Sequence, residues 1–290
     1  MLIHLSKLIN KIFIIFLISA IPFKVFSEEK NTNFINVDWS FNGLFGTFDR
    51  ASLQRGYQVY QEVCSGCHSI KHLSYRNLSE KGGPEFSIEE SKAIASQFEI
   101  EDGPNSDGEM FMRPARLSDN FASPYPNVEA ATAANDGAYP PDMSVLAKAR
   151  IGGADYIYSL LLGYEEAPEG FNLDEGVYYN KYMPGNKIKM SEPVYDGIVE
   201  YSDGTNATKA QVAKDVTAFL VWASEPHLES QHRMGFKTIF YLIILIILVY
   251  MSKQKVWSRF NSKDEDKEEA FDKVERVVTE YEGEDPKTFK

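Results

Sequence analysis

Residues 64–68 read Cys64-Ser65-Gly66-Cys67-His68. Two thiols separated by two residues on a turn can each add to one vinyl group of the same porphyrin, and the histidine that follows is then held beneath the iron as its proximal ligand. The spacing C-x-x-C-H is accordingly the attachment signal of a c-type haem, with Gly66 helping the chain to tighten between the thiols. Two rival uses of paired cysteines fit less well. A thioredoxin-like redox pair belongs in a βαβ unit, which the surrounding pattern does not offer, and a zinc site needs two further ligands at metal-binding spacing. His72 is near, but the chain holds no other cysteine, which also excludes a disulfide framework.

On the N-terminal side of the motif, Asp49 suits a helix N-cap, and Leu53, Tyr57 and Tyr60 recur at helical spacing up to Cys64. Further on, Ser87-Ile88-Glu89-Glu90 and Thr208-Lys209-Ala210-Gln211 read as capping boxes that start helices. Val212, Val216, Phe219 and Leu220 then form an apolar stripe whose natural place is the core. The acidic stretches 102–107 and 165–176 carry Gly and Pro and read as surface loops. The pattern predicts a mainly helical haem domain with long loops.

A haem that only relays electrons needs its sixth position closed, usually by Met or His, whereas a catalytic or gas-binding haem leaves it open. The candidates are Met110, Met112, Met143, Met183, Met190, His72, His227 and His232, and spacing does not choose among them. Met183 and Met190 both lie in the Pro- and Gly-bearing stretch 182–193, which suits a loop draped over a haem.

The 290 residues carry 30 Lys and Arg against 42 Asp and Glu, a net charge of -12, and 43% of them are hydrophobic. That apolar fraction supports a sizeable core. An acidic chain is no nucleic-acid binder, because a phosphate backbone is held by Lys and Arg. The charge is also uneven. Residues 1–27 hold Lys7, Lys11 and Lys24, no acid, and a short apolar run at 12–21, the pattern of a signal peptide cleaved after Ser27. Residues 235–251, GFKTIFYLIILIILVYM, form a second apolar run of spanning length, with Lys237 able to snorkel and Phe236 and Tyr250 suited to the interfaces. Lys253, Lys255 and Arg259 follow without a nearby acid, which orients the C-terminal side to the cytoplasm.

The expected organisation is a signal peptide at 1–27, an exported haem domain at 28–232, a transmembrane anchor at 233–252 and a charged cytoplasmic tail at 253–290. The exported part has 16 Lys and Arg against 31 Asp and Glu, a net charge of -15, which attracts and steers a basic partner at rates that fall with salt. Residues 261–290 are acidic again. They read as a solvated tail in which Phe271, Val274 and Val278, at helical spacing, permit a short charged helix.

Several long motifs carry a family resemblance. CSGCH is followed by MFMRPARLSDNF at 110–121, PYPNVEAATAANDGAYPPDMS at 124–144, ARIGGADYIYSLLLGY at 149–164, YYNKYMPGNKIKMSEPVY at 178–195 and QVAKDVTAFLVWASEP at 211–226. In this order they resemble cytochrome c1, the haem subunit of the cytochrome bc1 complex, from about residue 39 to residue 260. The resemblance implies a class I cytochrome c-like haem domain with one C-terminal transmembrane helix, and one covalent haem c held by thioethers at Cys64 and Cys67. It implies axial ligation by His68 and Met190, with Met183 falling on a packing position. It pairs Arg150 with a haem propionate, for which a guanidinium fork is well shaped, and lines the haem with Asn135, Ala138 and Pro141.

The implied function is that of a redox subunit with no substrate bond of its own to make. Electrons come from a Rieske iron-sulfur protein and leave to a cytochrome c, in a dimeric complex with cytochrome b, in a bacterial inner membrane with the haem domain periplasmic. Two other readings stay open here: a membrane-anchored c-type cytochrome serving another oxidase or dehydrogenase, and a haem enzyme or sensor with an open sixth site. The acidic tail departs from the family, whose members commonly finish soon after the basic anchor flank.

Overall fold

A computed structural model describes residues 33–282; the expected signal peptide lies outside them. Helix α1, Arg50–Val59, starts where Asp49 accepts from the N–H groups of Ala51 and Ser52, as its N-cap role requires. It runs into one π-type turn, Tyr60–Cys64, closed by the Ser65 N–H donating to the Tyr60 carbonyl at 2.8 Å. A 3-10 turn, Tyr75–Ser79, precedes α2, Ile88–Ala95, whose Ser87–Glu90 capping box is reciprocal. Two short antiparallel strands follow, β1 (Glu99–Asp102) and β2 (Phe111–Pro114), so the acidic stretch 102–107 starts on the last residue of β1 and continues into the connection of a hairpin. Helices α3 (Val128–Ala134) and α4 (Gly153–Leu162) come next, then the two-residue strands β3 (Tyr178–Tyr179) and β4 (Lys187–Ile188). Helix α5, Lys209–Ser224, begins at Thr208, which caps the Gln211 N–H; Gln211 itself turns to Asp215, leaving the second capping box half made.

The core forms where α1 lies against α5. Val212, Val216, Phe219 and Leu220 are buried, as the stripe required, and Phe219 packs on Tyr57 and Tyr60 with ring centroids 5.7 Å apart. The helices meet at Gly56. A Cβ there would lie 2.1 Å from the Asp215 carbonyl oxygen and 2.7 Å from the Phe219 Cβ, and neither can yield without moving α5. Gly56→Ala is therefore expected to destabilise by about 1–3 kcal/mol through overpacking, outweighing the ~1 kcal/mol that alanine gains in helix propensity. A lowered denaturant midpoint with unchanged slope would register it.

Beside Gly56 the same joint buries a charge. The Asp215 carboxylate is fully buried; it accepts from Arg55 Nε at 2.8 Å and Nη2 at 3.1 Å, from Ser52 Oγ at 2.7 Å and from Gln211 Nε2 at 3.0 Å. Arg55 also reaches Asp203 at 2.8 Å on the exposed side.

Helix α6, Leu228–Glu282, is one continuous element. Its side chains from Ile239 to Met251 are all exposed on every face, and Leu228–Ser258 is long and apolar enough to cross a membrane. The tail differs from the sequence expectation, since the helix continues through the acidic segment to Glu282. Residues 236–282 contain neither Gly nor Pro, and the Glu269–Lys273 pair, at 3.3 Å, adds i,i+4 support. At the other end Glu229 ties α6 to the haem domain: its Oε1 accepts from the Phe48 N–H at 2.9 Å and from Arg50 Nη1 at 2.7 Å, and its Oε2 from Arg50 Nη2 at 2.9 Å.

Candidate haem-attachment site

The π-type turn ends on Cys64, and the chain then turns through Cys67 and His68, whose N–H groups both return to the Cys64 carbonyl at 3.1 and 2.9 Å. Both cysteines are free thiols, Cys64 half-buried and Cys67 exposed. Burial pushes the Cys64 thiol up to about 12, so it stays neutral in the unmodified chain. Gly66 differs from expectation: a Cβ there meets nothing within 4 Å and its φ is not positive, so the turn between the thiols, closed on the Cys64 carbonyl, does not require a glycine.

His68 is buried, and its Nδ1 lies 2.8 Å from the Pro141 carbonyl oxygen. A carbonyl can only accept, so Nδ1 carries the proton and Nε2 keeps its lone pair for a metal. Burial pushes the imidazole pKa down, against the pull of the Pro141 carbonyl, which keeps the ring neutral as a ligand must be. Tyr60 Oη donates to the His68 carbonyl at 3.1 Å from behind.

The sequence reading did not single out Asp142, yet it holds this arrangement together. Its Oδ2 accepts from Ser69 Oγ at 2.7 Å and from the Lys71 N–H at 3.1 Å, and its Oδ1 from the Ser144 N–H at 2.9 Å. The Met143 N–H donates to the Ser69 carbonyl at 2.8 Å. The segment after His68 is thus laced to the segment carrying Pro141. Although burial pushes the Asp142 carboxyl up, the donors from Ser144 and Ser69 outweigh it and hold the group below its ordinary value.

Asn135 ends α3, its Nδ2 donating to the Ala131 carbonyl at 2.7 Å and to Tyr125 Oη at 3.2 Å; the half-buried Ala138 follows with its N–H on the Asn135 carbonyl at 2.8 Å. Lys189 Nζ donates to the Asp136 carbonyl at 2.7 Å, and Tyr164 Oη to the Met190 carbonyl at 3.1 Å. The first bond brings the Met190 loop beside the turn of Asn135 and Ala138, and the second ties it to the residue just past the end of α4. Met190 is half-exposed. Met183 is engaged otherwise, its sulfur accepting from Tyr156 Oη at 3.7 Å. Met143 is buried, Met110 and Met112 are exposed on the β1–β2 hairpin, His72 is exposed, and His227 and His232 lie where α5 meets α6. Arg150 is exposed before α4, its Nη1 on the Ala149 carbonyl at 3.1 Å, and it pairs with no carboxylate among the described residues.

The donor set fits a covalent haem. It offers two free thiols, a neutral imidazole already tied at one nitrogen, a thioether on a tethered loop and an unpaired guanidinium. The apolar side chains of Tyr139, Val145 and Ile151, near Pro141 and Arg150 in sequence, stand open to solvent. Among the described residues no three His, Cys, Asp or Glu side chains converge as a metal-binding group.

The model of the Cytochrome C1 family matches residues 39–260. "Cytochrome b/c1" of Bradyrhizobium diazoefficiens is 49% identical over an alignment of 239 positions that covers 76% of this chain and 35% of that much longer relative. "Cytochrome c1-2, heme protein, mitochondrial" of Solanum tuberosum is 48% identical over 225 residues, 78% of this chain and 85% of the relative. "Cytochrome b-c1 complex catalytic subunit, mitochondrial" of Candida albicans is 46% identical over 227 residues, 78% of each chain. With the attachment motif, the tied histidine and the apolar C-terminal helix in place, the chain belongs to the cytochrome C1 family.

Proposed function

We infer that this chain is the haem-bearing electron-transfer subunit of a quinol to cytochrome c oxidoreductase, receiving electrons from a Rieske iron-sulfur protein and delivering them to a cytochrome c. The observation that carries this reading is His68, neutral, tied at Nδ1 to Pro141, and set directly after two free thiols in a member of this family. Cys64 and Cys67 would hold the group by thioether bonds, and His68 Nε2 and the Met190 sulfur would close its axial positions. One haem c supplies a single reversible electron at its iron. The residues around it keep their protonation fixed: His68 holds its proton on Nδ1, and Arg150 is the free cation a propionate requires. Asn135, Ala138 and Pro141 line the site.

Helix α6 anchors the haem domain on the periplasmic side of a bacterial inner membrane, with Lys253, Lys255 and Arg259 on the cytoplasmic side. The exposed acidic loop 165–176 lies next to the Met190 hairpin, since its Asp174 pairs with Lys187 of β4 at 3.5 Å. A basic cytochrome c is thereby steered to the site's edge. Cytochrome b and the Rieske protein complete a dimeric complex, and this chain makes no substrate bond itself.

Affinity purification of the tagged chain from detergent-solubilised membranes tests the reading. Cytochrome b and a Rieske protein are expected to co-purify, and the rate of cytochrome c reduction is expected to fall as salt rises through the range where the Debye length shortens from about 30 to 8 Å. Purification without either partner would assign the chain to another oxidase or dehydrogenase.

A further inference from the structure

Leu44 and Phe45 form the tip of a tight turn and are 72% and 80% exposed. The turn is built in. The Gly46 N–H donates to the Gly43 carbonyl at 3.2 Å and the Thr47 N–H to the Ser40 carbonyl at 3.0 Å; Gly43 has φ 80°, and a Cβ at Gly46 would lie 2.1 Å from the Phe41 carbonyl oxygen. Turn tips ordinarily take Gly, Pro, Asn, Asp or Ser. Two large apolar side chains at this one call for a partner.

The surroundings indicate which. The Phe45 ring stacks on Phe236 of α6, centroids 5.1 Å apart and planes 12° apart. Phe236 stands at the start of the apolar run, beside Lys237, and with a rise of about 1.5 Å per residue it lies within one turn of the uniformly apolar stretch that begins at Ile239. That is the level at which aromatic side chains mark a membrane boundary. The turn is also fixed there, because the Phe48 N–H and Arg50 both bind Glu229 in the first turn of α6. Residues 41–48 carry no charge, so this is a neutral window in a domain whose net charge of -15 would otherwise be repelled by anionic lipid.

We propose that the turn 43–46 is a second membrane contact, with Leu44 and Phe45 entering the headgroup and upper acyl region of the outer leaflet beside α6. The haem domain then rests on lipid at two points and cannot pivot freely about the helix. This rests on the reading that α6 crosses the membrane.

Nitroxide labels test it, placed singly on Leu44→Cys, Phe45→Cys, Ile244→Cys and Leu173→Cys in the assembled, haem-loaded complex, reconstituted into vesicles of phosphatidylcholine and phosphatidylglycerol. The native thiols are held as thioethers, so the introduced one takes the label. Leu44 makes no ring or hydrogen-bonded contact, and its variant guards against loss of the Phe45 stack. The expected result is that dissolved oxygen relaxes the labels at 44 and 45 several-fold more than a water-soluble nickel chelate does, as at 244, with the opposite order at 173. Nickel dominating at 44 and 45 while 244 stays in lipid overturns this proposal alone. Protection from both agents means that a protein subunit covers the turn, which also overturns it. A label at 244 that reads as aqueous removes the membrane crossing itself, and the proposal with it.

Discussion

Met190→Leu is expected to remove the sulfur-to-iron charge-transfer absorption of the ferric haem protein and to let the reduced protein bind carbon monoxide, while Met183→Leu does neither. The two methionines are seven residues apart in one loop, and their surroundings differ. The Met183 sulfur already accepts from Tyr156 Oη, and its backbone N–H donates to Asn180 Oδ1 at 3.2 Å, which is how a packing residue is held. Met190 follows Lys189, whose Nζ is tied to the Asp136 carbonyl, and its own carbonyl accepts from Tyr164; neither bond engages the Met190 sulfur.

Thioether ligation raises a haem's reduction potential, so its loss lowers it. About 59 mV is a factor of ten in a one-electron equilibrium, so a drop of about 120 mV already disfavours reduction by the Rieske protein a hundredfold. On the proposed reading, cytochrome c reduction by the Met190→Leu complex should fall, by up to about a hundredfold for a drop of that size. Met183→Leu conserves volume and should cost less than about 1.5 kcal/mol of stability with little effect on turnover. If the band disappears in Met183→Leu and survives in Met190→Leu, the ligand assignment is reversed.

What could be read from the sequence divides along sequence distance. The Asp49 cap, the Ser87–Glu90 box and the stripe from Val212 to Leu220 are local patterns, and each appears where its pattern required. The steric lock at Gly56 and the burial of Asp215 depend on segments about 160 residues apart, and nothing near Gly56 marks it as a contact point. The β1–β2 hairpin escaped notice because Glu99–Asp102 has three acids in four residues and no apolar alternation. The sequence permits a short charged helix in the tail apart from the apolar run, whereas α6 is continuous through both. The acidic segment beyond that run simply continues a helix that no Gly or Pro interrupts.

The Cys64-Ser65-Gly66-Cys67-His68 motif is local and stands in the sequence itself. The arrangement that makes His68 a usable ligand does not, since the acceptor for Nδ1 is the backbone carbonyl of Pro141, which no side-chain pattern can reveal. Pro141 was expected only as lining. Asp142, which laces residues 69–71 to Ser144, looked like any acid in a loop. Gly66 departs from its local reading, because the turn between the thiols closes on the Cys64 carbonyl with no positive φ at that position.

Arg55→Ala is expected to cost about 3–5 kcal/mol, because it leaves the fully buried Asp215 carboxylate without its cation. Ser52 and Gln211 still donate to the carboxylate, but they supply no charge. At about 2–4 °C per kcal/mol for a domain of this size, thermal unfolding of the haem-loaded chain should fall by roughly 6–20 °C. Removing both partners, as Arg55→Met with Asp215→Leu, should recover most of the loss, since an apolar pair of similar volume avoids burying charge altogether. Asp203→Asn, which breaks only the exposed arm of the network, should stay within about 1 kcal/mol. A loss below about 1 kcal/mol in Arg55→Ala would mean that water reaches Asp215 and that the joint is looser than its burial implies. Below its transition the Arg55→Ala protein should keep the wild-type haem spectrum, because the network binds α1 to α5 and touches none of Cys64, Cys67 and His68. A changed spectrum would make the α1–α5 joint a determinant of haem ligation as well as of stability.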